Sequence, residues 1–225
     1  MYDYVKLFED NLESLSSAII SLNHVPKNTW EQYNSLQAVF VSKIPKTLFS
    51  AFQQILKGDY NESLGTCRIG YEILLAICFI AKYPESQWST VEAQKGNRAF
   101  KPSTFLIDDL KVVKEDPYYK FLSWHIHCQK RSVMSDIKTG MEGRLVLNLG
   151  YGYDNKELSI AFNNLLTILY FAINIFQHAF NDFLLNTDFS MKEPKALEVF
   201  IKKMPNKLSE IPELVNNIIR ALNTK

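Results

Sequence analysis

"NESLGTCRIGYEILLAICFIAKY", residues 61–83, decides the fold. It holds no proline, and its second half is apolar on every side, the pattern of a helix buried all round. Such a helix needs other elements against each of its faces, so it belongs at the centre of the molecule. It ends before Pro84, because proline cannot donate to a continuing helix. Its apolar run "ILLAICFIA" (73–81) and the later "LLTILYFAI" (165–173) fall short of the roughly 20 residues of a membrane span. Both are therefore expected to be core helices, with no membrane contact.

The flanking segments keep the helical period. Tyr4, Val5, Leu7, Phe8, Leu12, Leu15, Ile19 and Ile20 form one apolar stripe over 2–22. Residues 29–57 read as a second helical region, expected to bend or break near Pro45. A polar connection over 84–101 leads to a short helix around "KPSTFLIDDLKVV". "EDPYYKFLSWHIHCQ" then starts a better helix, with Asp116 as N-cap and Pro117 in the first helical position. Residues 132–156 hold four of the eight glycines and break the pattern, with "RLVLNL" as a candidate short strand. The longest helix follows at about 155–186, and two shorter ones at about 195–203 and 209–223. The expected class is all-α, an antiparallel multi-helix bundle with one long irregular loop around 132–156. Residues 1–225 read as a single helical domain, with 193–225 either integral to it or an appended C-terminal helical pair.

Composition narrows the function classes. Lys plus Arg (25) and Asp plus Glu (24) leave a formal charge of +1, unlike a protein that coats nucleic acid. Three cysteines show no paired spacing, and Cys67 and Cys78 would stand about 16 Å apart along one helix, too far for a disulfide. Free cysteines and a charged, amphipathic start, "MYDYVKLFEDNLESL", point to the cytoplasm.

Three polar features stand out from this apolar scaffold. "LSWHIHCQKR" (122–131) places two histidines one residue apart, which on a helix are separated by about 200°. One metal cannot easily take both, so no stoichiometric metal and no cofactor is expected. His125 falls among apolar neighbours, whereas His127 shares its side with Ser123, Lys120, Lys130 and Arg131. That side reads either as a solvated basic face or as a seat for a phosphate group. Arg68 and Glu72 lie four apart on the central helix, where a buried guanidinium requires partners. They read either as an ion pair tying helices together or as a pocket in which Arg68 grips an anion and Glu72 orients it. On the long helix Asn163, Thr167, Asn174, His178 and Asn181 share one side, with Tyr170 and Gln177 adjacent. This uncharged stripe suits a helix contact, a dimer seam or a pocket wall. His178 and Asp182 have metal-ligand spacing but no identifiable third ligand. No phosphate loop, dinucleotide loop or nucleophile elbow is present.

The order "RIGYEILLAICFIAKY" (Arg-x3-Glu), then "LSWHIH" (Leu-Ser-x3-His), then a long apolar helix resembles a group of bacterial all-α domains of unknown function placed with the HEPN-like helical superfamily. The likeness spans about residues 45–185, with Arg68, Glu72, Ser123 and His127 at the matching positions. It implies a helical bundle, often dimeric, from a superfamily that includes metal-independent ribonucleases, toxins and nucleotide-binding modules. The chain lacks the Arg-x4-6-His motif of the active ribonucleases. The expectation is therefore a homodimeric binding protein for an anionic ligand, a nucleotide or an RNA phosphate, held by Arg68, Glu72, Ser123, His127 and Arg131. A divergent metal-independent endoribonuclease or toxin-like enzyme is the alternative, and a purely structural partner subunit is a third.

Overall fold

Two residues, Gly58 and Asp59, turn the chain between its two most intimately packed helices. The computed structural model describes residues 2–84, 101–124, 137–139, 145–147, 154–185, 194–204 and 206–224. Gly58 takes the left-handed conformation (φ 84°) that a Cβ would penalise. Its N–H and that of Asp59 close the last carbonyls of α2 (Gln32–Lys57), at Ile55 and Gln54. Helix α3 (Tyr60–Lys82) then runs back antiparallel along α2, with Thr66 donating to Gln54 Oε1 at 2.8 Å.

Helix α2 runs through Pro45 without a break, so of the expected bend or break the break does not occur. Ile44 and Leu48 beside the proline are fully buried, and each buried side chain of that size contributes about 1.5–3 kcal/mol. Together they offset the roughly 3 kcal/mol that a mid-helix proline costs. Helix α1 (Tyr2–Ser21) adds Phe8, Leu15 and Ala18 to the same core.

A short helical turn, α4 (Pro102–Thr104), runs into a π-helical turn at Phe105–Asp109 that buries Phe105 against Phe79. Next come α5 (Pro117–Trp124) and a minimal antiparallel ladder of β1 (Ile137–Thr139) and β2 (Leu145–Leu147), with Ile137 opposite Leu147. The ladder includes part of the "RLVLNL" segment. Helix α6 (Asn155–Leu184) starts where Asp154 accepts the N–H groups of Lys156 and Glu157. It crosses α3 at Gly70, where a Cβ would stand 3.2 Å from Ile168 Cγ2. The missing side chain is what lets the two central helices approach so closely.

Helices α7 (Lys195–Lys202) and α8 (Ile211–Asn223) pack on α6 and bury Leu197, Ile201, Val215 and Ile218 completely. Lys82, at the end of α3, donates to the Ala221 carbonyl at the end of α8. The fold is an all-α bundle. By length and composition α3 and α6 could each cross a bilayer. In this fold most of that apolar surface lies against other helices.

Candidate functional site

The central helix and α5 meet in two polar tiers. In the inner tier, Asp116 caps α5 as its sequence position implies. Its Oδ1 accepts the Tyr119 N–H at 2.9 Å, and its Oδ2 accepts the Tyr71 hydroxyl of α3 at 3.2 Å. Asp116 is only 3% exposed, and burial lifts its carboxyl above the ordinary range against the lowering effect of those hydrogen bonds. Burial, reinforced by Asp116, also pushes the Tyr71 phenol well above its usual value, so it stays a donor. The ring of Tyr118 stands edge-on to Tyr71, centroids 5.2 Å apart.

The outer tier contains Arg68 and Glu72. Arg68 Nε donates to Glu72 Oε1 at 2.9 Å, and Arg68 Nη2 donates to the Tyr119 hydroxyl at 2.7 Å. Tyr119 donates in turn to the same Glu72 oxygen at 3.0 Å, closing a triangle. The guanidinium carbon also lies 4.8 Å from the centroid of the Tyr119 ring. Burial alone would weaken the guanidinium as a base, but Tyr119 and Glu72 together outweigh it and hold Arg68 charged. Side-chain exposure is 15% for Arg68 and 34% for Glu72, so the triangle sits at the rim of the seam, within reach of solvent.

Of the residues singled out from sequence, Arg68 and Glu72 are together. Ser123 lies on α5, its hydroxyl donating to the Tyr119 carbonyl one turn back at 2.7 Å. That bond keeps it within its own helix. His127 and Arg131, and with them the His-x-His question, lie outside the described residues. Spacing alone did not mark Tyr119, although it stands one helical turn before Ser123 on the same stripe of α5.

The uncharged stripe divides. Asn163 and Thr167 are buried; the Thr167 hydroxyl donates to the Asn163 carbonyl at 2.8 Å and lies 3.9 Å from Met204 Sδ beneath the C-terminal helices. Tyr170 is buried as well, its phenol pushed up to about 12 by burial and by Glu198 of α7. This half is an internal helix seam. Asn174, Gln177 and His178 are half-buried beyond it.

Cys67 and Cys78 are free and buried, and burial raises the Cys67 thiol to about 12, which leaves it protonated and unreactive. Among the described residues no group of three or more His, Cys, Asp or Glu side chains is arranged to hold a metal ion. Comparison with protein-family models, with curated proteins and with solved structures finds no match in any of the three.

Proposed function

We propose that this chain is a binding module for an anionic group, a phosphate of a nucleotide or of RNA, with Arg68 as the anchor. The observation that carries the reading is the Glu72 carboxylate on the Arg68 guanidinium at the rim of the α3–α5 seam. A carboxylate in that place already acts as an anion on a pre-oriented guanidinium, which Tyr119 holds by its hydroxyl and its ring face. A phosphate oxygen would take the position of Glu72 Oε1, and Glu72 would swing to solvent. Helix α5, which carries Tyr119, leads in sequence to His127, Lys130 and Arg131, additional positive charge for a polyanion.

The test is a binding panel of inorganic phosphate, ATP and a short single-stranded RNA, with RNA cleavage followed in parallel. Glu72→Gln removes the competing charge and should tighten phosphate and nucleotide binding about tenfold, or 1.4 kcal/mol. Arg68→Met should abolish binding, and His127→Ala should weaken RNA more than inorganic phosphate. If Glu72→Gln binds no tighter and Arg68→Met changes only the melting temperature, the triangle is a structural tie and the proposal fails. Cleavage by the wild type that His127→Ala removes would favour the endoribonuclease reading instead.

A further inference from the structure

Helix α3 is covered on three sides. Thr66 meets Gln54 of α2, and Gly70 faces Thr47 of α2 and Ile168 of α6. Tyr71 meets Phe171 of α6, and Arg68 and Glu72 meet Tyr119 of α5. At about 100° per residue these contacts leave one arc of roughly 80°, which holds Glu62, Gly65, Ile69 and Ile73. Ile69 is 51% exposed in the middle of that arc, and Ile73 is half-buried beside it.

Helix α2 extends this surface. Its Phe52 and the central residues of α3 pack on α6, so α6 covers one side of the α2–α3 pair and the arc lies on the other. Phe40, Lys43 and Thr47 recur every three to four residues, which sets Lys43 on the edge of α2 beside α3. Lys43 is exposed, so it stands on the outer side, and Val39, one turn before it, is 54% exposed.

The charges sit at matched heights. Glu62 is seven residues before Ile69, about 10 Å down the axis of α3. Thr47 faces Gly70 and the two helices are antiparallel, so Lys43 is level with residue 74, about 8 Å up from Ile69. Its ammonium lies 5.5 Å from the Phe40 ring, which tips it further the same way. An exposed apolar centre therefore has an acid on one side and a base about as far away on the other. Among the described residues neither Glu62 nor Lys43 makes an ion pair within the chain.

Such a surface is complementary to itself. A two-fold axis through Ile69 runs a second α3 antiparallel to the first and sets Ile69 against its own copy. Gly65 then stands opposite the second copy's Ile73, and Glu62 comes level with the second copy's Lys43, twice. A glycine within a helix costs about 1 kcal/mol against alanine, and here it leaves a gap that an isoleucine fills. A polyanion on the same face would be repelled by Glu62. The uncharged stripe of α6 is half covered by the C-terminal helices, which leaves the outer face of α3 as the better seam.

We propose that the chain forms a two-fold dimer through this outer face of α3, centred on Ile69, with Glu62 of each copy against Lys43 of the other. None of these contacts uses Arg68, Glu72 or Tyr119, so the phosphate reading and the dimer can fail independently.

The experiment is sedimentation velocity on the intact protein from about 5 to 500 µM, with helical circular dichroism confirming that each variant is folded. A concentration-dependent dimer is expected for the wild type. Ile69→Lys, at an exposed position, should be monomeric throughout. Glu62→Lys and Lys43→Glu each place like charges together twice and should weaken association at least about tenfold. Mixed in equal amounts, these two variants should associate with each other about as well as the wild type does with itself, because every pair is then of opposite charge. A wild type monomeric at about 500 µM overturns the proposal. So does a dimer that Ile69→Lys leaves intact, or a mixture of the two charge variants that associates no better than either alone.

Discussion

A phenol, a guanidinium and a carboxylate that each touch the other two behave as a unit, so removing one changes what remains of the other pair. Tyr119→Phe deletes both hydroxyl bonds but keeps the ring under Arg68. Its expected cost is about 1–2 kcal/mol by chemical denaturation. Arg68→Met leaves Glu72 and the Tyr119 hydroxyl without their cation and should cost more, roughly 2–4 kcal/mol, below the fully buried limit because Glu72 is a third exposed. The Tyr119→Phe and Arg68→Met double mutant should fall short of the sum by at least about 0.5 kcal/mol. Strict additivity would show that the three groups act independently. The Arg68–Glu72 pair was legible from spacing, since side chains four apart on a helix meet. Tyr119 was not, because its two bonds reach residues 47 and 51 positions away.

At the scale of the element, one carboxylate both starts α5 and ties it to α3. Asp116→Ala removes the cap of the first turn and the acceptor of the Tyr71 hydroxyl together, and should destabilise by about 1–3 kcal/mol. Asp116→Asn keeps a capping oxygen and separates geometry from charge. Because burial raises the carboxyl's folded value, the folded chain holds that proton more tightly than the unfolded chain does. The ionisation penalty is thus fully present at pH 7, and it is relieved as pH falls through the raised value toward the ordinary carboxylate value of about 3.9. Asn should therefore compare more favourably with Asp at pH 7 than at pH 4 in paired urea melts. The opposite trend would mean that the Tyr119 and Tyr71 bonds outweigh burial. The Asp-Pro start of this helix was legible because capping chemistry is local, and so were the spans of α1, α3 and α6. The continuity of α2 through Pro45 was not, because the burial that offsets the proline comes from distant packing. For the same reason sequence left open what covers Asn163 and Thr167, and the π-turn at Phe105–Asp109 has no periodic signature.

Across the whole molecule, three long helices form the centre, and the all-round apolar character of residues 73–81 was enough to place α3 among them. The tight turn at Gly58 and the close crossing at Gly70 differ in one respect that bears on how the chain reaches this state. The first joins neighbours in sequence, whereas Gly70 meets Ile168, about 100 residues further on. Closing the α2–α3 hairpin costs little chain entropy, while bringing in α6 requires a long loop to be closed first. The hairpin should consequently be formed in the folding transition state and the α6 contact completed later. Gly58→Ala, strained by its positive φ, should slow folding by nearly all of its destabilisation, about 1 kcal/mol. Ile168→Val should leave the folding rate almost unchanged and speed unfolding by most of its own 0.5–1.5 kcal/mol or so. Stopped-flow rates across urea concentrations read both directly, and equal effects on the two limbs for both variants would remove this order of events. A two-residue turn thereby sets the order in which the bundle assembles as well as its shape.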